Sequence, residues 1–284
     1  MRLGSKRRLA QVATLAACHA GITALSRTGV VAPFMFCHGC PFASFACPIG
    51  ALQHFAGHRI FPLLLLGSLG LIFLFFGRAP CGWLCPFGGF QDLLRRARGG
   101  SGYGPPGGGG AHGKARWTKY LILLLVPTSA YLVAGTTFCW LCPVGALFAG
   151  LYILVLRQPP IYHWLEENAP WAVDKVLPPG VRLGLPFYLH MAILLIVVFL
   201  ALVVPRFWCR YICPLGAIAS LFNPLSFVRL ELDEDKCSKC LLCLMHCPMG
   251  VGDLEDVGGP ECILCGRCVE VCPAGALRLR ISLK

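Results

Sequence analysis

Eight cysteines near the C-terminus constrain this chain more than any other feature. They read Cys237-Ser-Lys-Cys240-Leu-Leu-Cys243-Leu-Met-His-Cys247-Pro and Cys262-Ile-Leu-Cys265-Gly-Arg-Cys268-Val-Glu-Val-Cys272-Pro. A doubled C-x2-C-x2-C-x3-C-P run holds two cubane clusters, and the fourth cysteine of each run reaches across to the other cluster. The expected ligand sets are therefore Cys237, Cys240, Cys243 and Cys272 for one 4Fe–4S cluster, and Cys262, Cys265, Cys268 and Cys247 for the second. Each proline removes a backbone donor and turns the chain away from its cluster. Zinc prefers four ligands in two pairs, which these four-cysteine runs fit poorly. His246 falls inside one run, where it is expected to tune or shield the cluster.

The chain before this tail is of another kind. Of the 284 residues, 56% are hydrophobic and only 13% charged, against about 45–50% and about 25% in soluble domains. Four apolar stretches approach the roughly 17–25 residues that cross a bilayer: Leu9–Leu25, Ile60–Gly77, Tyr120–Gly135 and Phe187–Val204. With four spans, residues 1–8, 78–119 and 205–284 share one side and carry 20 Lys and Arg; the other side carries 5. Positive charge collects in the cytoplasm, so both termini are expected inside an inner (cell) membrane. The net charge of +12 is then a matter of topology, not of nucleic-acid binding. Leu15-Ala16-Ala17-Cys18 resembles a lipoprotein processing site, but apolar sequence continues past it and a first span is the better reading. The glycine-rich stretch 99–113 has no Gly-Lys-Ser/Thr ending and reads as a linker. Trp164 and Trp171 suit an interfacial position.

An internal repeat organises the remaining cysteines. Cys47-Pro-Ile-Gly-Ala-Leu matches Cys142-Pro-Val-Gly-Ala-Leu, and Cys81-Gly-Trp-Leu-Cys85-Pro matches Cys209-Arg-Tyr-Ile-Cys213-Pro. The halves run over about 37–98 and 139–225. An 18-residue helix between Cys47 and Cys81 would part them by roughly 27 Å, so cysteines are expected to pair by membrane side. Cys81, Cys85, Cys209 and Cys213 form a third cluster site at the inner face. Four of Cys37, Cys40, Cys47, Cys139 and Cys142 form a fourth at the outer face, although disulfides compete there. The repeat aligns Cys139 with Ser44, so Cys37 or Cys40 must substitute. Four clusters take sixteen cysteines, leaving Cys18 and one of that pair. Each motif ends in Cys-Pro-x-Gly, and proline suits a helix's first turn, whose free N–H groups favour a negatively charged cluster. If the inner and outer clusters lie at opposite faces, a direct hop is slow. Either the Cys-Pro segments dip inward or a carrier intervenes, for which His19 and His190 offer a haem b or quinone site.

CGWLCP at 81–86, CRYICP at 209–214 and the two tail runs resemble the NapH/MauN-type membrane polyferredoxins, and the electron-transfer part of NosR is similar in plan. The resemblance covers nearly the whole chain and implies transfer between the quinone pool and a redox partner. The outer cysteine set is not expected in the ordinary family plan and suggests a longer wire. The expected fold is mainly α. It comprises a polytopic four-helix transmembrane domain with re-entrant or interfacial helices (1–226) and a cytoplasmic α+β two-cluster ferredoxin domain (227–284). The expected function is an inner-membrane electron-transfer subunit in contact with lipid, with no catalytic site of its own. It would relay electrons between a cytoplasmic redox partner, docked at the ferredoxin head, and quinone or an extracytoplasmic partner. A membrane redox sensor, or a maturation factor for a partner enzyme, is the alternative.

Overall fold

A computed structural model describes residues 3–19, 30–37, 43–99, 113, 115–168 and 184–281. The apolar part consists of long helices, each followed by a cysteine motif that starts a shorter helix. In order, these are α1 (Leu3–Cys18), α2 (Pro48–Gly57), α3 (Leu63–Phe76), α4 (Ala79–Trp83), α5 (Pro86–Ala97) and α6 (Thr118–Val133). After them come α7 (Pro143–Leu156), sharply bent from α8 (Pro159–Asn168), then α9 (Leu185–Val203), α10 (Phe207–Tyr211) and α11 (Pro214–Phe222). Residues Ala146–Gly150 inside α7 form a π-helical turn, a widening that often marks functional sites.

The Cys-Pro pairs explain where the short helices start. Cys47, Cys85, Cys142 and Cys213 are each the extended residue before a helix with proline in its first turn. Proline already has the helical φ and has no N–H to leave orphaned. In three of the four, the sulfur accepts the N–H of the glycine three residues on: Gly50 at 3.5 Å, Gly88 at 3.4 Å and Gly216 at 3.3 Å.

The two halves cross over. α6 packs on α2 from the first half and α11 from the second, while α9 packs on α5 and α7. Among the described residues no single helix is long and apolar enough to cross a membrane; α3, α6, residues Phe187–Val203 and Pro214–Leu225 are shorter apolar helices. Their outer faces are nonetheless apolar. Leu64 is 88% exposed, Leu132 76% and Leu195 67%.

The first helix departs from the expected span at Leu9–Leu25. It begins at Leu3, and residues 20–29 lie outside the described residues. Its inward face carries Arg7 and Gln11, with Gln11 donating to the Gly82 carbonyl at 3.1 Å. Arg7 is therefore a buried structural cation, not a flanking topological charge.

The tail forms a small α+β unit. β1 (Val228–Leu232) pairs antiparallel with β2 (Leu277–Ile281), Leu230 opposite Leu279. Between them lie α12 (Leu242–Met245) and α13 (Arg267–Val271). The unit is docked firmly: Trp83 Nε1 donates to the Leu264 carbonyl at 2.9 Å, Asn223 Nδ2 to the Gly259 and Cys262 carbonyls, and Gly4 N to Glu270.

Candidate iron–sulfur sites

In the head, Cys237, Cys240, Cys243 and Cys272 wall one small cavity, closed by Leu232, Leu254 and Leu277. Cys247, Cys262, Cys265 and Cys268 face one another beside it. The two sets share a hydrophobic cluster in which Cys243 and Cys272 meet Cys262 and Cys268. Each group of four thus draws cysteines from both runs.

Cys81, Cys85, Cys209 and Cys213 converge on a second cavity with Met35, Phe87, Trp208 and Arg78 in its wall. Of the outer five, Cys142 faces Cys47 and Cys37, and Cys47 faces Cys139. Cys40 and Trp171 lie outside the described residues. Cys18 is fully buried, in the same core as Phe36 and the membrane cysteines. Among the described residues no three His, Cys, Asp or Glu side chains close on a point as a single metal ion requires; two of the cysteine sets line small cavities instead.

The inner and outer sets are neighbours, which corrects the expectation that they lie at opposite faces. Met35 lines the inner cavity and Cys37, two residues on, belongs to the outer set. Two residues of chain span at most about 7 Å. Phe138, which precedes Cys139, has its ring 6.1 Å from that of Trp208, which precedes Cys209. The expected 27 Å separation fails because Cys47 does not sit at the far end of α3. The chain leaves Cys47 along α2 and returns along α3. The inner four and the described outer four nonetheless lie together as groups.

The histidines do not form a shared site through any contact described. His19 packs its ring on Phe36, Phe148 and Tyr152, with Nδ1 2.7 Å from the Leu15 carbonyl. His190 Nε2 lies 2.5 Å from the Cys142 carbonyl and its ring borders Gly145, so it supports the outer set. His246 Nδ1 is 3.0 Å from the Leu242 carbonyl.

Two kinds of residue escaped the sequence reading. Gln53 and Gln91 each stand six positions after a Cys-Pro cysteine. Gln91 Nε2 donates to Cys209 Sγ at 3.4 Å while its Oε1 accepts from Trp208 N. Gln53 repeats this on Cys139 Sγ at 3.5 Å and Phe138 N. Arg78 and Arg206 each stand three positions before the first cysteine of an inner motif, and both are fully buried. Arg206 binds both oxygens of Asp92, at 3.1 and 2.8 Å, and donates to the Cys81 carbonyl at 3.0 Å; Arg7 shares Asp92 at 3.0 Å. Arg78 binds Glu261 at 3.1 Å, a carboxylate shared with Lys119. Burial pushes the Asp92 carboxyl up, but Arg206 and Arg7 outweigh it and hold it at about 2. Glu261 is held low in the same way, burial being outweighed by Arg78 and Lys119. The spacing Arg-x-x-Cys-x-x-x-Cys-Pro, present twice, was the available signal; these arginines had counted only toward topology.

These residues fit a cluster. Arg78 Nε and Nη2 are buried with no oxygen partner, and the guanidinium stands against the Cys81 sulfur. A buried unsatisfied guanidinium is costly, and an anionic thiolate-ligated cluster in that cavity removes the cost.

Four groups of cysteines, two of them lining small cavities, mark an iron–sulfur protein, and comparison with known proteins agrees. A model described as "4Fe-4S binding domain" matches residues 22–63, 59–102, 118–160 and 187–229, one match around each Cys-Pro helix start. A "4Fe-4S dicluster domain" matches 229–273. Uncharacterized protein MJ0750 of Methanocaldococcus jannaschii is 28% identical over 246 residues, covering 84% of this chain and 87% of its own. The ferredoxin-type protein NapH of Escherichia coli is 24% identical, covering 79% of this chain and 71% of its own. The methylamine utilization ferredoxin-type protein MauN of Paracoccus denitrificans is 29% identical, covering 51% and 60%. No solved structure matches. The chain belongs to the 4Fe-4S binding family, as a polyferredoxin of the NapH/MauN type. It is an iron–sulfur electron-transfer protein carrying 4Fe–4S clusters.

Proposed function

We propose that the chain is a membrane-embedded electron wire of four 4Fe–4S clusters and catalyses no reaction alone. The order is distal head (Cys237, Cys240, Cys243, Cys272), proximal head (Cys247, Cys262, Cys265, Cys268), inner site (Cys81, Cys85, Cys209, Cys213) and outer site (Cys37, Cys47, Cys139, Cys142). The single observation that carries this reading is contact between successive sets. Cys81 and Cys209 pack with Cys247 and Cys265 around Met249 and Ile263, and Met35 and Trp208 link the inner set to the outer. An unbroken file of this kind is what conduction needs.

Two observations support a membrane setting. The outward faces of α3, α6 and α9 carry many exposed large apolar side chains, the kind of surface that marks a membrane or partner contact. Lys and Arg are strongly biased to one set of loops. In this setting the head faces a cytoplasmic redox partner. Far from the head, the outer site serves quinone or an extracytoplasmic partner. An apolar groove of about 500 Å³, lined by Val12, Leu15, Pro86, Phe90 and Tyr152, gives a lipid-soluble quinone a second approach, beside Cys85.

The test is arrival of electrons at the outer cluster after chemical reduction of the head, followed by EPR on protein in anaerobic vesicles. Cys213→Ala is expected to leave the head reducible and to stop reduction of the outer cluster. Unchanged outer-cluster reduction in that variant overturns the wire. In a maturation factor the same change would instead leave a partner enzyme without its cofactor.

A further inference from the structure

The inner site is enclosed by two matched ion triads. In each, one carboxylate lies between two cations: Arg7–Asp92–Arg206 and Lys119–Glu261–Arg78. The four cations are essentially buried, so each triad keeps one uncompensated positive charge away from water. Buried net charge is tolerated only beside its opposite. An oxidised 4Fe–4S core carries two positive charges and its four thiolates four negative ones. The cluster's net charge of two negatives thus matches the two triads.

The arginines cross between halves. Arg206 reaches back over the Cys85-Pro-Phe-Gly88 turn, where a Cβ on Gly88 would stand 3.3 Å from its Nη1; Arg78 covers Cys213-Pro-Leu-Gly216, where a Cβ on Gly216 would stand 3.4 Å from its Nη2. The proximal head set shares part of this charge, Arg7 and Arg206 acting on Cys265 and Arg210 on Cys247, whereas Arg78 and Arg206 both act on Cys81 of the inner set. The outer set borders Gln53 and His190, and the distal head set opens to solvent at Cys240.

We infer that the two triads raise the potential of the inner cluster above those of its neighbours, making it the point where electrons from the head collect. This rests on the wire reading. Net charge and hydrogen bonds to sulfur are among the levers that set such potentials. One electron leaves the reduced proximal head cluster, which is oxidised by one unit, and enters the inner cluster, which is reduced by one unit. No bond forms or breaks and no proton moves.

EPR-monitored redox titration of the anaerobic full-length protein tests this, with the inner signal assigned as the one lost in Cys213→Ala. Asp92→Asn removes the negative member of a triad and is expected to raise the inner midpoint. Arg206→Gln removes a positive member and is expected to lower it, while Arg206→Lys restores it most of the way. A packing defect would move Asp92→Asn and Arg206→Gln in the same direction. Shifts of opposite sign, with the wild-type inner cluster the most easily reduced of the four, bear the inference out. Shifts of the same sign, no shift, or a lower inner midpoint than the head overturn it. Where Arg206→Gln fails to load iron, Asp92→Asn decides alone. Absence of any inner signal in the wild type defeats the wire reading as well, which separates the two failures.

Discussion

Gln91 Nε2 donates to the Cys209 sulfur at 3.4 Å from the helix that follows Cys85, so one amide ties a cysteine of the second half to the helix of the first. Its oxygen holds the N–H of Trp208. Gln53 does the same for Cys139 and Phe138. The side chain therefore clamps two halves and places a donor on a ligand sulfur.

Replacing Gln91 by Leu removes that donor and leaves the Trp208 N–H buried and unpaired. The expected cost is about 1–3 kcal/mol, read as a lower midpoint of thermal unfolding in detergent. The inner cluster's potential is expected to fall as well. Gln53→Leu should shift the outer cluster and spare the inner one, which redox titration of both variants would show.

The glycines of the Cys-Pro-x-Gly turns are not equivalent. A Cβ on Gly88 would lie 3.2 Å from the Cys81 carbonyl oxygen and 3.3 Å from Arg206, whereas at Gly216 the closest atoms stand at 3.4 and 3.5 Å. Gly88→Ala is expected to cost iron occupancy, and Gly216→Ala to be close to neutral, by iron assay of the two purified variants.

Gly82 lies where the head meets the inner motif. A Cβ there would come within 2.3 Å of the Ile263 carbonyl oxygen and 3.6 Å of the Cys265 Cα. Overpacking of this kind costs roughly 1–3 kcal/mol, and here it falls on the path between clusters. Gly82→Ala is expected to keep all clusters loaded while pushing the head away from the inner site and slowing electron passage between them. Rapid-freeze EPR after reduction of the head measures it.

The charge bias predicts that both termini face the same side as the ferredoxin head. Reporter fusions at residue 1 and residue 284 should report the cytoplasm, and a reporter in the 157–168 region the opposite side. Extraction should require detergent and resist high salt, because the belt around Leu64, Leu132 and Leu195 is apolar.

Much of this was legible in the chain. The tail spacing forecast which cysteines lie together, since each local run brings three together and leaves only one long-range choice. The grouping of the membrane cysteines was reached through a separation between Cys47 and Cys81 that the fold does not have. Depth was not legible: the path from Cys47 out along α2 and back along α3 depends on helix packing, and a short apolar helix reads like a piece of a longer one. The Gln53 and Gln91 clamps and the two triads also escaped, because a lone glutamine or arginine acquires meaning only when its partner in the other half is brought alongside. Arg78 and Arg206 at matching positions in the repeat were the one visible hint.

The most direct test of four clusters in file is iron and acid-labile sulfide per chain, on protein purified without oxygen. Four cubanes predict about sixteen of each, falling to about twelve in Cys142→Ala. About twelve in the unaltered protein would mean that Cys37, Cys47, Cys139 and Cys142 hold no cluster, and that the wire ends at the inner site.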